Sequence, residues 1–494
     1  MSRARQALSG VRWGALGLLF NTGAQLALMA CMSRLLTPGD FGLMALALAA
    51  LNLLAYAGQS GLAPALVQRP ALDTPTQRLA WTLALMLSLA CAGLTALLAP
   101  LVAQWAGQPR LALLLQVLAL QLPLSAMVLV ATALLRRALR FKALAVVDAL
   151  SYVLGYGLVG LATAWAGWGV WALVAAQLGQ VSMQAVLVLA LARPDCRLSL
   201  RGDWRGLLGY GGRHALIGLV ELVGGNADTA VIGRALGEAS LGLYSRARLL
   251  AQLPTEKLAG IVGRVLFPLL ASTQTDRARV GEVLALGVLL VGSLGAALSL
   301  GVSAAAQPLV QLLLGPQWQA AVPVLEGLAL AVPWIFMSNV AGITCDALGW
   351  LGPKLRLQSG VTLLLCLGLA LLAGLGLRWL VAWLVAVEML RWAAYLAWLR
   401  GPLQIRSRDM LRIHAAVLTS GGLVALAVAG ALALCPAGAA WLRVLVAVLA
   451  GSLGLVLATG LALWSCRGTA AIQLAQRHWP GLDRWSFARG ASHG

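Results

Sequence analysis

The sequence predicts an all-α, polytopic membrane protein of about fourteen transmembrane helices, built as two six-helix lobes related by a parallel repeat, with two further helices at the C-terminus. Three observations predict it. Of the 494 residues, 61% are apolar and 11% charged, with mean hydropathy +0.87; a soluble chain carries roughly 25% charge, and this much apolar surface does not fit inside a water-facing globule. Apolar runs long enough to cross a bilayer recur along the whole chain. Finally, the polar corner in SRLLTPGDFGLMALALAA (33–50) returns in GRALGEASLGLYSRARLL (233–250), placing Arg34, Leu36, Gly42 and Leu43 again as Arg234, Leu236, Gly242 and Leu243.

A span needs about 20 mostly apolar residues. On that rule the spans fall at approximately 13–34, 42–64, 79–103, 111–134, 144–166, 169–192, 209–233, 240–270, 281–305, 320–345, 355–377, 379–399, 411–434 and 441–465. The N-terminal MSRARQALSGVRW is basic, but the apolar run behind it is too long for a signal peptide and lacks a small-residue cleavage site, so it is expected to be the first span. The shortest link is Gly167-Trp168. Between spans 1 and 2, Thr37-Pro38-Gly39-Asp40 supplies turn chemistry, with Asp40 expected to cap the second helix.

The repeat continues beyond the corner. QVLALQLPL (116–124) returns as EGLALAVPW (326–334) at an offset of 210, and Lys142 and Trp171 return as Lys354 and Trp383 at 212. Offsets that rise in order, each at the same place in the span sequence, make spans 1–6 a copy of spans 7–12. Because six is even, both copies enter from the same side, which is the arrangement of two halves around a central cleft. The expected organisation is residues 1–205 for the N-terminal lobe, 206–400 for the C-terminal lobe, and 401–494 for spans 13 and 14 with a basic tail.

The net charge is +20, from 36 Lys+Arg against 16 Asp+Glu. With cations at the rims of spans counted to the side they face, 26 of the 36 fall to the N-terminus, the even-to-odd links and the C-terminal tail, five to the opposite side, and five lie deeper inside spans. This is the positive-inside pattern. It predicts cytoplasmic termini and excludes the charge as a nucleic-acid footprint. The seven cysteines are scattered without a C-x-x-C pair, so no disulfide framework or metal site is expected. None of the three lysines (142, 257, 354) sits in a P-loop, and no nucleophile motif occurs. The chain is expected to be neither an enzyme nor dependent on a cofactor.

The candidate binding residues are cations within or at the rims of spans. Arg12 and Arg213 mark one mouth of spans 1 and 7, Arg34 and Arg234 the other, with about 32 Å of helix between them; interfacial anchoring is the alternative role for all four. In span 8, Arg246, Lys257 and Arg264 are separated by 11 and 7 residues. At about 100° per residue they share one stripe, provided Pro254 does not kink the helix. A cation in hydrocarbon costs roughly 2.5–3.5 kcal/mol, so the stripe requires an anionic ligand, water or partner carboxylates. Glu221 and Asp228, seven residues apart on span 7, are the candidates for such pairing or for coupling to a cation. Glu388 and Arg391, three apart, favour local pairing. Asn21 aligns with Glu221, so the two halves differ electrically.

VRWGAL (11–16), SRLLTPGDFGLMALA (33–47), GLAPALVQR (61–69), RRALRFKALA (136–145), GWGVWALV (167–174), NADTAVIGRALGEASLGLYSRARLL (226–250) and VLFPLLAS (265–272) together resemble, in order, the Wzx-type branch of the multidrug/oligosaccharidyl-lipid/polysaccharide flippase superfamily. The resemblance covers most of spans 1 to 8. It implies a bacterial inner-membrane flippase that moves undecaprenyl-pyrophosphate-linked oligosaccharide repeat units by alternating access, for O-antigen, exopolysaccharide or capsule synthesis. It also implies a polysaccharide polymerase and chain-length machinery as partners, and cavity arginines that meet the pyrophosphate. A cation-coupled multidrug exporter or a lipid II flippase of the same superfamily is the alternative; the basic candidate cavity disfavours the former. The short external loops oppose a polymerase or ligase.

Overall fold

The computed structural model describes the backbone of residues 3–59, 66, 73–201, 212–435, 439–466 and 469. Side chains are described for these residues except 3–16, 18, 19, 55, 57–59, 212–217, 253–262, 264, 265 and 464. Among the described residues the regular structure is entirely helical. The elements are α1 (Arg3–Leu35), α2 (Pro38–Gln59), α3 (Thr74–Ala106), α4 (Arg110–Leu118), α5 (Gln121–Arg137), α6 (Phe141–Tyr152), α7 (Leu161–Trp165) and α8 (Val170–Ala192). There follow α9 (Gly212–Ser272), α10 (Arg277–Ala304), α11 (Ala306–Leu313), α12 (Val322–Ala329), α13 (Val332–Ala347), α14 (Leu351–Leu372), α15 (Leu377–Leu399), α16 (Ser407–Leu434) and α17 (Ala440–Ser465). Nine helical stretches among the described residues are long and apolar enough to cross a membrane, or ten if α12 and α13, with the short turn before them, form one bent span. The chain is a multi-pass membrane protein.

Several predicted spans have internal breaks with a physical cause. Span 4 is split into α4 and α5, and span 10 is bent by 41° ahead of α13. A proline clashes with the carbonyl four residues before it. Those positions are Ala119 for Pro123 and Ala329 for Pro333, and the helices break there. The local bond is the same in both copies: Leu120 N–H donates to the Val117 carbonyl at 3.2 Å, and Leu330 N–H to the Gly327 carbonyl at 3.1 Å. The sequence repeat at offset 210 is therefore also a repeat of backbone shape. Span 5 runs from α6 through a widened π-type segment, Val153–Gly160, into α7.

Spans 7 and 8 form one helical run, α9, interrupted at Gly237 (φ 82°, ψ 174°). That conformation is essentially restricted to glycine. The backbone is assigned as helical across Pro254.

The chain divides into two compact units, Met1–Ser245 and Arg246–Gly494. In the first, α3 and α5 pack around Leu79, Ala84, Ala126 and Val130, and Val188 of α8 joins Leu135 and Val147. In the second, α10 is the central helix, and Val288, Met337, Trp392 and Ile413 meet in its core. Val424 and Val428 of α16 pack with Ala447 and Ala458 of α17.

Candidate functional site

The repeated corners are the best-defined feature of the site region. The first is closed by a capping box: Asp40 Oδ2 accepts from Thr37 N–H at 2.9 Å and from the Thr37 hydroxyl at 2.7 Å. The Asp40 amide donates back to Thr37 Oγ1 at 3.3 Å. This corrects the sequence expectation: Thr37 is the cap of α2, and Asp40, three residues on, completes the reciprocal pair. The second corner turns at the positive-φ Gly237 instead.

The two corners pack against each other within the first unit. A Cβ on Gly42 would collide with the carbonyl of Glu238, and one on Gly242 with the carbonyl of Pro38. At the repeat offset of 200, Glu238 is the counterpart of Pro38 and Gly242 of Gly42. The contact is therefore reciprocal, as across a two-fold axis. The Glu238 carboxylate lies over the first corner, with Oε1 3.4 Å from where a Gly39 Cβ would stand. Phe41, Leu43 and Leu241 are buried beside this contact.

Of the predicted cations, Arg34 and Arg234 are exposed at these corners. Arg234 Nη1 lies 3.8 Å from the Cβ position of Gly107, the left-handed residue that ends α3. A guanidinium beside a helix C-terminus is favoured by the helix dipole. Arg246 is half-buried in the first turns after the corner. The side chains of Arg12, Arg213, Lys257 and Arg264 lie outside the described residues, although the backbone at all four is helical.

The carboxylates separate in role. Glu221 is exposed, whereas Asp228 is buried. Asp228 Oδ1 accepts from Thr229 N–H at 2.6 Å, and Oδ2 accepts from the hydroxyl of Tyr244, itself 1% exposed. This bond joins the two limbs of α9 on either side of Gly237. Sequence reasoning missed Tyr244, which is sixteen residues from its partner and meets it only because the helix folds back. It also missed Arg248, in the second unit, whose Nε donates to Gln252 Oε1 at 3.2 Å. The predicted local pair is formed: Arg391 Nη2 lies 3.1 Å from Glu388 Oε1.

At the ends of the first unit's helices, arginines act as tethers. Arg78 holds Asp195 Oδ2 through Nε (2.8 Å) and Nη2 (2.6 Å), and Ser199 N–H donates to Thr82 Oγ1 at 2.9 Å. The extended segment after α8 is thereby fastened to the start of α3. The Arg78 guanidinium, and then the Arg197 amide, hold the Asp195 carboxyl below its ordinary range. Among the described residues no cluster of three His, Cys, Asp or Glu is arranged to hold a metal.

Known proteins place this architecture. Succinoglycan biosynthesis transport protein ExoT of Rhizobium meliloti is 31% identical over 338 residues, 66% of each chain. Teichuronic acid biosynthesis protein TuaB of Bacillus subtilis is 25% identical, covering 78% of this chain and 80% of its own. Lipopolysaccharide biosynthesis protein WzxC of Escherichia coli is 26% identical, covering 66% and 67%. In fold, the chain is similar to the lipid II flippase MurJ in an inward closed conformation, with TM-score 0.70 at 11% identity over 89% of this chain and 97% of that one. It is also similar to an inward-facing multidrug resistance MATE transporter, with TM-score 0.61 at 16% identity over 77% and 94%. The polysaccharide biosynthesis protein family model matches residues 31–323, more than half the chain and inclusive of both corners, and the protein belongs to that family.

Proposed function

We propose that this protein is a flippase that moves undecaprenyl-pyrophosphate-linked oligosaccharide repeat units across the bacterial inner membrane for surface polysaccharide synthesis. The observation that carries this reading is the family match across residues 31–323, supported by relatives named for transport in polysaccharide and lipopolysaccharide synthesis. The fold shared with a lipid II flippase supports a lipid-linked cargo. In this reading the chain crosses the membrane fourteen times with both termini cytoplasmic, and the repeat defines lobes 1–205 and 206–400, followed by the appended residues 401–494.

In this reading the two repeat copies work by alternating access. Arg12, Arg34, Arg213, Arg234, Arg246, Lys257 and Arg264 supply positive charge to the pyrophosphate, for which guanidinium forks are well matched. Glu221 and Asp228 balance that charge. A polymerase and chain-length machinery would take up the product on the far side.

The test is deletion followed by analysis of lipid-linked intermediates. Loss of surface polysaccharide with undecaprenyl-linked units held on the cytoplasmic face is the expected result. Normal polysaccharide with heightened drug sensitivity would overturn it in favour of a multidrug exporter. Lys257→Ala with Arg264→Ala is expected to abolish export at normal protein levels; full complementation by the double variant would remove the cation stripe from the mechanism.

A further inference from the structure

The second unit contains a continuous apolar groove with a basic end. One cavity of about 530 Å³ is bordered by Trp334, Met389 and Leu390, and another of about 350 Å³ by Met410, Leu411, Arg400 and Ser407. They share Ala393, Leu396 and His414 as walls, so they form one channel between α13, α15 and α16. Along α15 the channel runs from Ala386 to Arg400. At 1.5 Å per residue that is about 21 Å, whereas one leaflet of a bilayer has about 15 Å of hydrocarbon. The groove therefore has the length of a single leaflet plus its headgroup layer, and its polar groups are gathered at one end.

That end is strongly cationic. Arg400 and Ser407 line it, and Arg406, Arg408 and Arg412 are exposed within about a turn of Ser407. Asp409 is the acidic residue in this first turn of α16. The N-terminus of α16 has no side-chain cap, which leaves a positive helix end beside Arg400. His414 adds no charge to the wall. Its Nδ1 lies 2.7 Å from the Met410 carbonyl, which can only accept, and Trp392 Nε1 donates to its Nε2 at 2.6 Å. Those two bonds select the neutral tautomer with the proton on Nδ1.

We propose that this groove binds one anionic phospholipid of the surrounding bilayer. The phosphate sits against Arg400 and the start of α16, and an acyl chain lies along Leu396, Ala393 and Met389. Basic pockets between helices at a membrane surface select acidic headgroups in this way. The proposal rests on the membrane reading alone and holds whatever the transported cargo is.

Native mass spectrometry of the purified full-length protein, equilibrated with equal amounts of phosphatidylglycerol and phosphatidylethanolamine of matched chains, tests it. The wild-type protein is expected to retain phosphatidylglycerol preferentially. Arg400→Gln should lower the ratio about fivefold, the equivalent of one surface arginine. Arg378→Gln, at the other end of α15, should leave the ratio unchanged. Ala393→Trp, which fills the channel, should reduce retention of both lipids, with thermal unfolding checked for each variant. Equal retention of the two lipids by the wild type, or an unchanged ratio in Arg400→Gln, overturns the proposal. So does finding that the retained molecule is a polyprenyl pyrophosphate.

Discussion

Gly42 and Gly242, equivalent positions in two copies of one sequence motif, each meet a backbone carbonyl of the opposite copy: Gly42 that of Glu238, Gly242 that of Pro38. No side chain fits at either site without moving backbone. Two corners 200 residues apart thus become one closed contact, and the glycine that recurs in the motif is what lets the chains approach.

Substitution at this contact should be costly and position-specific. Gly42→Ala or Gly242→Ala is expected to destabilise by about 1–3 kcal/mol through overpacking. Gly39→Ala meets only the end of the Glu238 side chain at ordinary distance and should stay within about 0.5 kcal/mol of the parent. Apparent melting temperatures in detergent distinguish the two cases; equal effects at positions 39 and 42 would contradict the packing described.

Gly237 is constrained by conformation rather than space, since nothing lies within 4 Å of its Cβ position. Gly237→Ala places a side chain at φ 82°, ψ 174°, at a cost of about 1–3 kcal/mol. The cysteine-accessibility pattern of residues 238–250 should shift as the turn re-forms. An unchanged pattern and melting temperature would show that the turn tolerates a Cβ.

Removing the Tyr244 hydroxyl leaves a buried carboxylate without that donor. Tyr244→Phe should cost about 1–3 kcal/mol, as should Asp228→Asn. The double variant is expected to cost clearly less than their sum, because the two residues serve one bond. Strict additivity in a double-mutant cycle would count against the link between the limbs of α9.

The Arg78–Asp195 tether carries a pH signature. Because the folded-state pKa of Asp195 is depressed, its stabilising effect is fully present above the ordinary carboxylate value near 3.8. It is lost as pH falls through the lowered folded value. Asp195→Asn should therefore differ from the wild type in melting temperature at neutral pH and converge with it in acid. A gap that persists at the lowest accessible pH would assign the effect to something other than ionisation.

The half-buried pair on α15 predicts asymmetric losses. Glu388→Ala leaves the Arg391 charge without its carboxylate and should destabilise by about 1–3 kcal/mol. Replacing both by apolar residues of similar size should restore much of that, as read by thermal unfolding. Equal destabilisation by the single and double replacements would contradict a pairing cost.

Taken alone, the sequence determined the helical membrane class, the order of its apolar segments, and the internal repeat. These follow from local causes: hydrophobic run length, proline's missing N–H and its clash four residues back at Ala119 and Ala329, and the short-range pairing of Glu388 with Arg391. The bias of arginine toward alternate links was also legible as a pattern, although no periodicity tells a cation set beside a helix end, such as Arg234 near Gly107, from a ligand contact. Tertiary structure alone decided which distant groups meet. It brought the Gly42 corner onto the Gly242 corner, Tyr244 onto Asp228, and Arg78 onto Asp195. It also divided the corner's labour between Thr37 as cap and Asp40 as its return partner. The reason is that helical membrane segments are specified by composition and length, which act locally. Their pairing is specified by close approach of small residues and by single hydrogen bonds, and those leave no period in the chain.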